Sequence, residues 1–205
     1  MVSSHNGYAT EAFFDELATA AGKDPVAFRQ AMLSSHPKHL AVLTLAAEKS
    51  GWGTPLAPGK GGSKRARGVA VHESFNTAVA QVAEVTVTGD NKFTVDRVVC
   101  AVNCGLAVNP DVVRAQMEGG IGFGLSAALY GAITIKDGAV EQSNFHDYPV
   151  LRINEMPLVE VFIVQSTDKP TGVGEPGVPP IAPAVANALA AATGKRLRKL
   201  PLALS

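Results

Sequence analysis

Apolar residues fall on a helical period over roughly the first fifty positions and on a period of two after them. From Thr10, read as an N-cap, Phe13, Phe14, Leu17 and Ala21 form one stripe of a helix that Gly22 ends. Asp24-Pro25 opens a second helix, with the cap residue placed before a proline in the first turn, and carries Val26, Phe28 and Leu33. His36-Pro37 repeats that signal before a third helix, in which Leu40, Val42, Leu43 and Ala47 are expected to face inward as far as Gly51. Residues 53–68 are rich in Gly, Pro, Lys and Arg and read as an exposed linker.

Residues 68–75 then read as a strand, and 79–88 and 92–102 as an antiparallel pair around the turn-forming Thr88-Gly89-Asp90-Asn91. After Asn109-Pro110-Asp111 the helical period returns, with Val113, Met117, Gly120, Ile121, Gly124 and Ala128 on one face. Residues 133–135 and 139–141 read as a hairpin turning at Asp137-Gly138, and 158–165 as a further strand. A Gly/Pro-rich loop over 169–180 leads into an alanine-rich helix over 181–192, stopped by Gly194. Helices and strands mix without strict alternation, which predicts an α+β fold with helices packed on a mixed or antiparallel sheet. The expected organisation is a helical segment over 1–52, the linker over 53–68 and an α+β portion over 69–205.

Composition narrows the function classes. A chain of 205 residues with 46% apolar and 18% charged positions can bury a core and is not a disordered one. Lys plus Arg equal Asp plus Glu at 18 each, so no global field attracts nucleic acid or an anionic membrane. The basic run 195–199 reads as a solvated helix end. Cys100 and Cys104 are too few for a disulfide framework, miss the zinc-knuckle spacing, and read as small apolar residues in or beside a strand. There is no apolar run of about eighteen residues, so no transmembrane segment is expected. Met1-Val2 leads straight into polar residues without a signal-peptide pattern. That start is read as either a cytoplasmic one or an internal cut in a longer chain, and the compartment stays open between cytoplasm and periplasm.

Two stretches carry candidate chemistry. In Gly172-Val173-Gly174-Glu175-Pro176-Gly177-Val178-Pro179-Pro180 a carboxylate sits on backbone that glycine lets turn and proline stiffens. Apolar neighbours suggest poor hydration there, which would raise a carboxyl pKa towards that of a general base. The same residues also fit a rigid turn with an acid near a helix start. In Gln116-Met117-Glu118-Gly119-Gly120-Ile121-Gly122-Phe123-Gly124, four glycines in a helix cost roughly 0.8 to 1 kcal/mol each, tolerable where another backbone or a ligand approaches closely. Gln116 offers an amide suited to a heterocycle edge. A dinucleotide fingerprint and a nucleophile elbow are not met. His36 and His39 lack a completing carboxylate, so no protein metal site is expected. His72-Glu73 and His146-Asp147 read as polar pairs near strand ends.

Taken together, Asn109-Pro110, Gln116 through Gly120, Leu125 through Gly131, Glu141 through Tyr148, Gly172 through Pro176 and Val178 through Pro183 resemble the xanthine dehydrogenase and aldehyde oxidase family. The resemblance is strongest to the molybdopterin-binding large subunits of its isoquinoline 1-oxidoreductase and aldehyde dehydrogenase branch. It implies part of a molybdenum-cofactor-binding domain, and hydroxylation of an N-heterocycle or aldehyde carbon with water as the oxygen source. Glu175 matches the general base of that reaction. Gln116 matches a cofactor contact, and Gly119, Gly120 and Gly174 permit close approach; the metal is held by the pterin's sulfurs. Iron–sulfur clusters are implied on a small partner subunit. The family's large subunits are several-fold longer, so the upstream molybdopterin-binding portion is expected as a further partner, and the chain alone is expected to be inactive. The alternative is a non-catalytic folded fragment or accessory subunit that needs a partner chain.

Overall fold

The computed structural model describes residues 3–204. Strands β1 (Lys64–Ser74), β2 (Thr77–Val87) and β3 (Phe93–Asn103) form an antiparallel meander, and β6 (Leu158–Ile163) joins the far side of β3 in parallel. The remaining strands, β4 (Ile135–Lys136) and β5 (Ala139–Val140), make a small separate hairpin. With helices α1 (Ser3–Ala20), α2 (Pro25–Met32), α3 (Pro37–Ser50), α4 (Pro110–Tyr130) and α5 (Ile181–Thr193), the fold is mixed α+β.

The period of two sorts the sheet's residues between two cores. Val69, Val71, Ala78, Ala80, Val82, Val99 and Ala101 face Val42, Leu43 and Ala46 of α3. Their alternates Ala70, Val79, Ala83, Val98, Cys100 and Val102 face Met117, Ile121 and Leu125 of α4 and Ile181, Val185 and Leu189 of α5. Cys100 is fully buried among apolar neighbours, which pushes its thiol up to about 12, and both cysteines are free. At Gly68 a Cβ would meet Ala188 N at 2.1 Å and Ala184 O at 2.3 Å, so only glycine lets α5 lie this close to β1.

Three elements depart from the reading of the pattern. Helix α1 starts at Ser3 and hides not its aromatic stripe but Glu11, Asp15 and Ala18, while Phe13 and Leu17 are exposed. The reason is Arg29, 2% exposed, whose Nε donates to Glu11 at 2.9 Å and whose Nη1 lies 3.6 Å from Asp15. Strand β1 begins at Lys64, inside the stretch read as linker, because Arg65 and Arg67 reach the buried Glu84 of β2 at 3.5 and 3.0 Å. The basic run is not a helix end. Past Gly194 the chain folds back on α1, with Arg196 on Asp15 at 2.6 Å, Arg198 bidentate on Glu16, and Leu197 O accepting from Tyr8.

The outer edge of β1 is stoppered by side chains. Glu11 accepts from Val71 N at 2.9 Å and Asn187 donates to Val69 O at 3.0 Å. Among the described residues no strand pairs with the outer edge of β6.

Candidate functional site

Helix α4 is built as the sequence specifies: Asn109 caps it by accepting from Asp111 N and Val112 N, Pro110 opens it, and Val113, Met117, Gly120, Ile121, Gly124 and Ala128 are buried. Its glycines do different work. A Cβ on Gly120 would stand 3.3 Å from Gly177 Cα, and one on Gly124 would stand 2.8 Å from Val178 O. Missing side chains at these two positions therefore let the Glu175 turn lie directly on α4, so Gly120 packs against protein backbone. Gly119 is exposed, and no atom lies within 4 Å of where its Cβ would be; the same is true of Gly174. Gln116, four residues before Gly120, is exposed.

The turn itself is held from three sides. Val178 N donates to Glu175 O at 2.9 Å, and Pro176 and Gly177 are buried. Gln81 of β2 donates from below to Gly177 O at 2.8 Å. Upstream, Thr77 Oγ1 donates to Gly172 O at 2.7 Å and lies 2.6 Å from Thr171 Oγ1, which ties the loop to the start of β2. The Glu175 carboxylate has no hydrogen bond or ion pair among the described residues and is exposed. This corrects the expectation of a dry carboxylate: Pro176, Gly177 and Pro179 turn into the core, Val173 and Val178 are half-buried, and the acid is left projecting outward. It lines a depression of about 200 Å³ with Ser74, Phe75, Val178 and Pro179. A larger groove of about 380 Å³ lies between β6 and the start of α4, and is lined by Lys49, Pro110, Arg114 and Phe162 but not by Glu175 or Gln116. In the smaller depression a carboxylate without a partner among the described residues stands on a backbone that Gln81 and Thr77 hold.

Reading the sequence did not single out Gln81, Ser74, Phe75 or Thr77. A lone amide in the apolar run of β2 was the available signal for Gln81; the others lie about a hundred residues from Glu175 and only the fold brings them to it. His72 and Glu73 gather with His39 instead, His39 Nε2 lying 3.4 Å from Glu73. His36 and His39 stack edge to face at 5.7 Å. No group of three or more metal-binding side chains is assembled among the described residues. His146 and Asp147 lie in an exposed loop, where Asp147 accepts from Ser143 N and Asn144 N.

Fold and site together define an α+β domain in which the exposed Glu175 turn is seated on α4, the helix that carries the exposed Gln116. Solved structures with the same fold are the aldehyde oxidoreductase from Desulfovibrio desulfuricans, with a TM-score of 0.77 and 16% identity over 97% of this chain and 39% of that one, and its Desulfovibrio gigas counterpart, with a TM-score of 0.72 and 13% identity over 97% of this chain and 40% of that one. Residues 12–157 match the family described as "Molybdopterin cofactor-binding domain", and the chain belongs to that family. Among curated relatives, the beta subunit of isoquinoline 1-oxidoreductase from Brevundimonas diminuta is 42% identical over 95% of this chain and 25% of its own length. The "Membrane-bound aldehyde dehydrogenase" of Gluconacetobacter polyoxogenes is 32% identical over 95% of this chain and 27% of its own length. The chain thus spans about a quarter of the length of these relatives.

The residues present fit part of a molybdopterin. Gln116 can both donate to and accept from a pterin edge, and at Gly119 and Gly174 a flat ligand can reach the backbone unobstructed. Among the described residues no helix is long and apolar enough to cross a membrane.

Proposed function

We propose that this chain supplies one wall of a molybdenum hydroxylase active site and its general base, Glu175. The observation that carries this reading is a carboxylate free of protein partners on a turn that Gln81, Thr77 and Pro176 immobilise, seated directly on the helix that presents Gln116. A base fixed in position but not engaged by the protein is ready to accept a proton from a ligand. When bound, the cofactor supplies a two-electron acceptor for the carbon being oxidised. Glu175 takes the proton from the water-derived oxygen nucleophile as it adds to an N-heterocycle or aldehyde carbon. Gln116 holds the polar edge of the pterin, with Gly119 and Gly174 giving it access to the backbone and Gly120 keeping the turn tight against α4. The other walls, and the cover that dries Glu175, come from the upstream molybdopterin-binding portion of a family-length polypeptide. Iron–sulfur clusters on a small partner subunit would supply the onward acceptor for the electrons.

The test is co-expression with that upstream portion, followed by metal analysis and turnover of isoquinoline and aldehydes. Glu175→Gln is expected to retain molybdenum and to lower kcat by about 10²- to 10⁴-fold. Equal turnover by wild type and variant removes the catalytic role. A second reading, a non-catalytic accessory piece, is favoured by exposed apolar side chains such as Val108, Ile135, Phe145 and Ile153. It requires an assembly that forms without molybdenum.

A further inference from the structure

Gln81 is an amide in a place where the strand pattern expects an apolar side chain. It lies in β2 between the alternates Val79 and Ala83, which face α4 and α5, and is 0% exposed. Ala70 on β1 and Cys100 on β3 stand opposite it in the sheet, both buried, and their small side chains leave it room. Its Nε2 donates to Gly177 O at 2.8 Å, while its Oε1 is buried with no hydrogen-bond partner among the described residues. Buried polar groups are nearly always paired, and an unpaired one destabilises the fold. Packing therefore does not account for the amide; its one hydrogen bond does.

That bond falls on the torsionally free point of the Glu175 turn. The ring of Pro176 locks its own φ. Gly177 has no such restraint, and close contact favours glycine there: a Cβ would stand 3.0 Å from Met117 O on α4. Gly177 O and Val178 N belong to one planar peptide group, whose carbonyl and N–H point in opposite directions. The N–H side closes the turn on Glu175 O at 2.9 Å, and the carbonyl side takes the Gln81 donor. Rotation of this one peptide plane would break both bonds and release the backbone that carries the carboxylate.

We infer that Gln81 is a positioning residue: by holding the Gly177–Val178 peptide plane it fixes the direction in which Glu175 projects. It acts on turnover through Glu175, and not on the stability of the fold or on substrate binding. The inference rests on the reading of Glu175 as the base. An apolar side chain at this position removes one unpaired acceptor, Oε1, and creates another, Gly177 O, so the two effects on stability nearly cancel. Rate is far more sensitive, because a base misplaced by about 1 Å loses on the order of 10²-fold.

The experiment uses the co-expressed holoenzyme with isoquinoline and hexanal as substrates. Gln81→Met and Gln81→Leu are each made in the wild-type and Glu175→Gln backgrounds, and either folded variant decides. Both are expected to retain molybdenum and to melt within about 3 °C of wild type. In the wild-type background kcat is expected to fall about 10- to 100-fold, with KM within about twofold. In the Glu175→Gln background kcat is expected to fall no further, because residues that act as a unit are non-additive. Gln81→Glu, whose buried carboxyl stays protonated and keeps a donor near Gly177 O, is expected to recover most of the lost kcat at about pH 6. In the chain by itself, exchange of the Val178 amide followed by NMR is expected to quicken about tenfold in Gln81→Met, with the β2 and β3 amides unmoved. Wild-type kcat in the apolar variants, an equal fractional loss in both backgrounds, or unchanged exchange at Val178 overturns the inference and leaves the Glu175 reading standing. A holoenzyme inactive on both substrates, or Glu175→Gln with wild-type kcat, removes the Glu175 reading and the inference with it.

Discussion

Arg29 shows how one side chain redirects an element. Its guanidinium, 2% exposed, is bound by the Glu11 carboxylate and by the Glu11 and Pro25 carbonyls, and Asp15 beside it is shared with Arg196. Removing one member of a buried charge group strands the others, so Arg29→Ala is expected to cost about 3–5 kcal/mol in urea unfolding. Phe13→Ala on the exposed stripe should stay within about 0.5 kcal/mol. A reversed order would mean that the pattern-based assignment of the α1 core was right after all. At the far end of β1, burial holds His72 below the usual histidine range, helped by His39; burial likewise lowers His39, with Glu73 opposing both shifts. In the unfolded chain both rings take up protons near 6.5, before the folded ones do. Stability from this pair is thus complete above that pH and is lost as pH falls through the folded values. Melting temperatures measured from pH 8 down to 5 should drop below about 6.5, and the drop should flatten in a His39→Gln/His72→Gln double variant. Coincident pH profiles for the two proteins would contradict this.

Among elements, α4 separates two kinds of glycine. Gly119→Ala puts a methyl into open space in an exposed helix interior and is expected to stabilise the chain by about 0.8–1 kcal/mol. Gly124→Ala would drive a methyl to 2.7 Å from Ile181 Cγ2 and 2.8 Å from Val178 O, and is expected to destabilise by about 1–3 kcal/mol. Chemical denaturation of the two variants separates them, and a loss in Gly119→Ala would refute the open-space reading. The buried face of α4 was legible in the sequence because an apolar stripe on a helical period reports burial directly. So were the caps at Asn109, Asp24 and Gly194, whose signals are local. Helix α1 was not legible, because what buries Glu11 and Asp15 are cations 18 and 181 residues away. The start of β1 was hidden for a similar reason: Arg65 and Arg67 read as linker charges until Glu84 is placed across from them. Glu175 and Gln116 stood out through their own neighbours in sequence; Gln81 showed only as a lone amide in an apolar strand, and Ser74 and Phe75 come to Glu175 only through the fold.

At the scale of the whole molecule, the C-terminal return ties the first helix to the last residues described. Lys195 donates to Leu204 O at 2.9 Å, Leu202 N to Ala128 O at 2.8 Å, and Arg196 and Arg198 grip α1, with Leu202 and Leu204 buried. Deleting residues 195–205 is expected to lower the melting temperature by more than about 10 °C, since two buried leucines and the cation on Asp15 go together. An unchanged melt would show the return to be ornamental. The sheet, meanwhile, has unlike margins. With Glu11 and Asn187 occupying Val71 N and Val69 O, no incoming backbone can zip onto β1 without first dislodging α1 and α5. Lengthening of the sheet is therefore one-directional, and any strand added in assembly or in unwanted aggregation must compete for the same six residues, Leu158–Ile163.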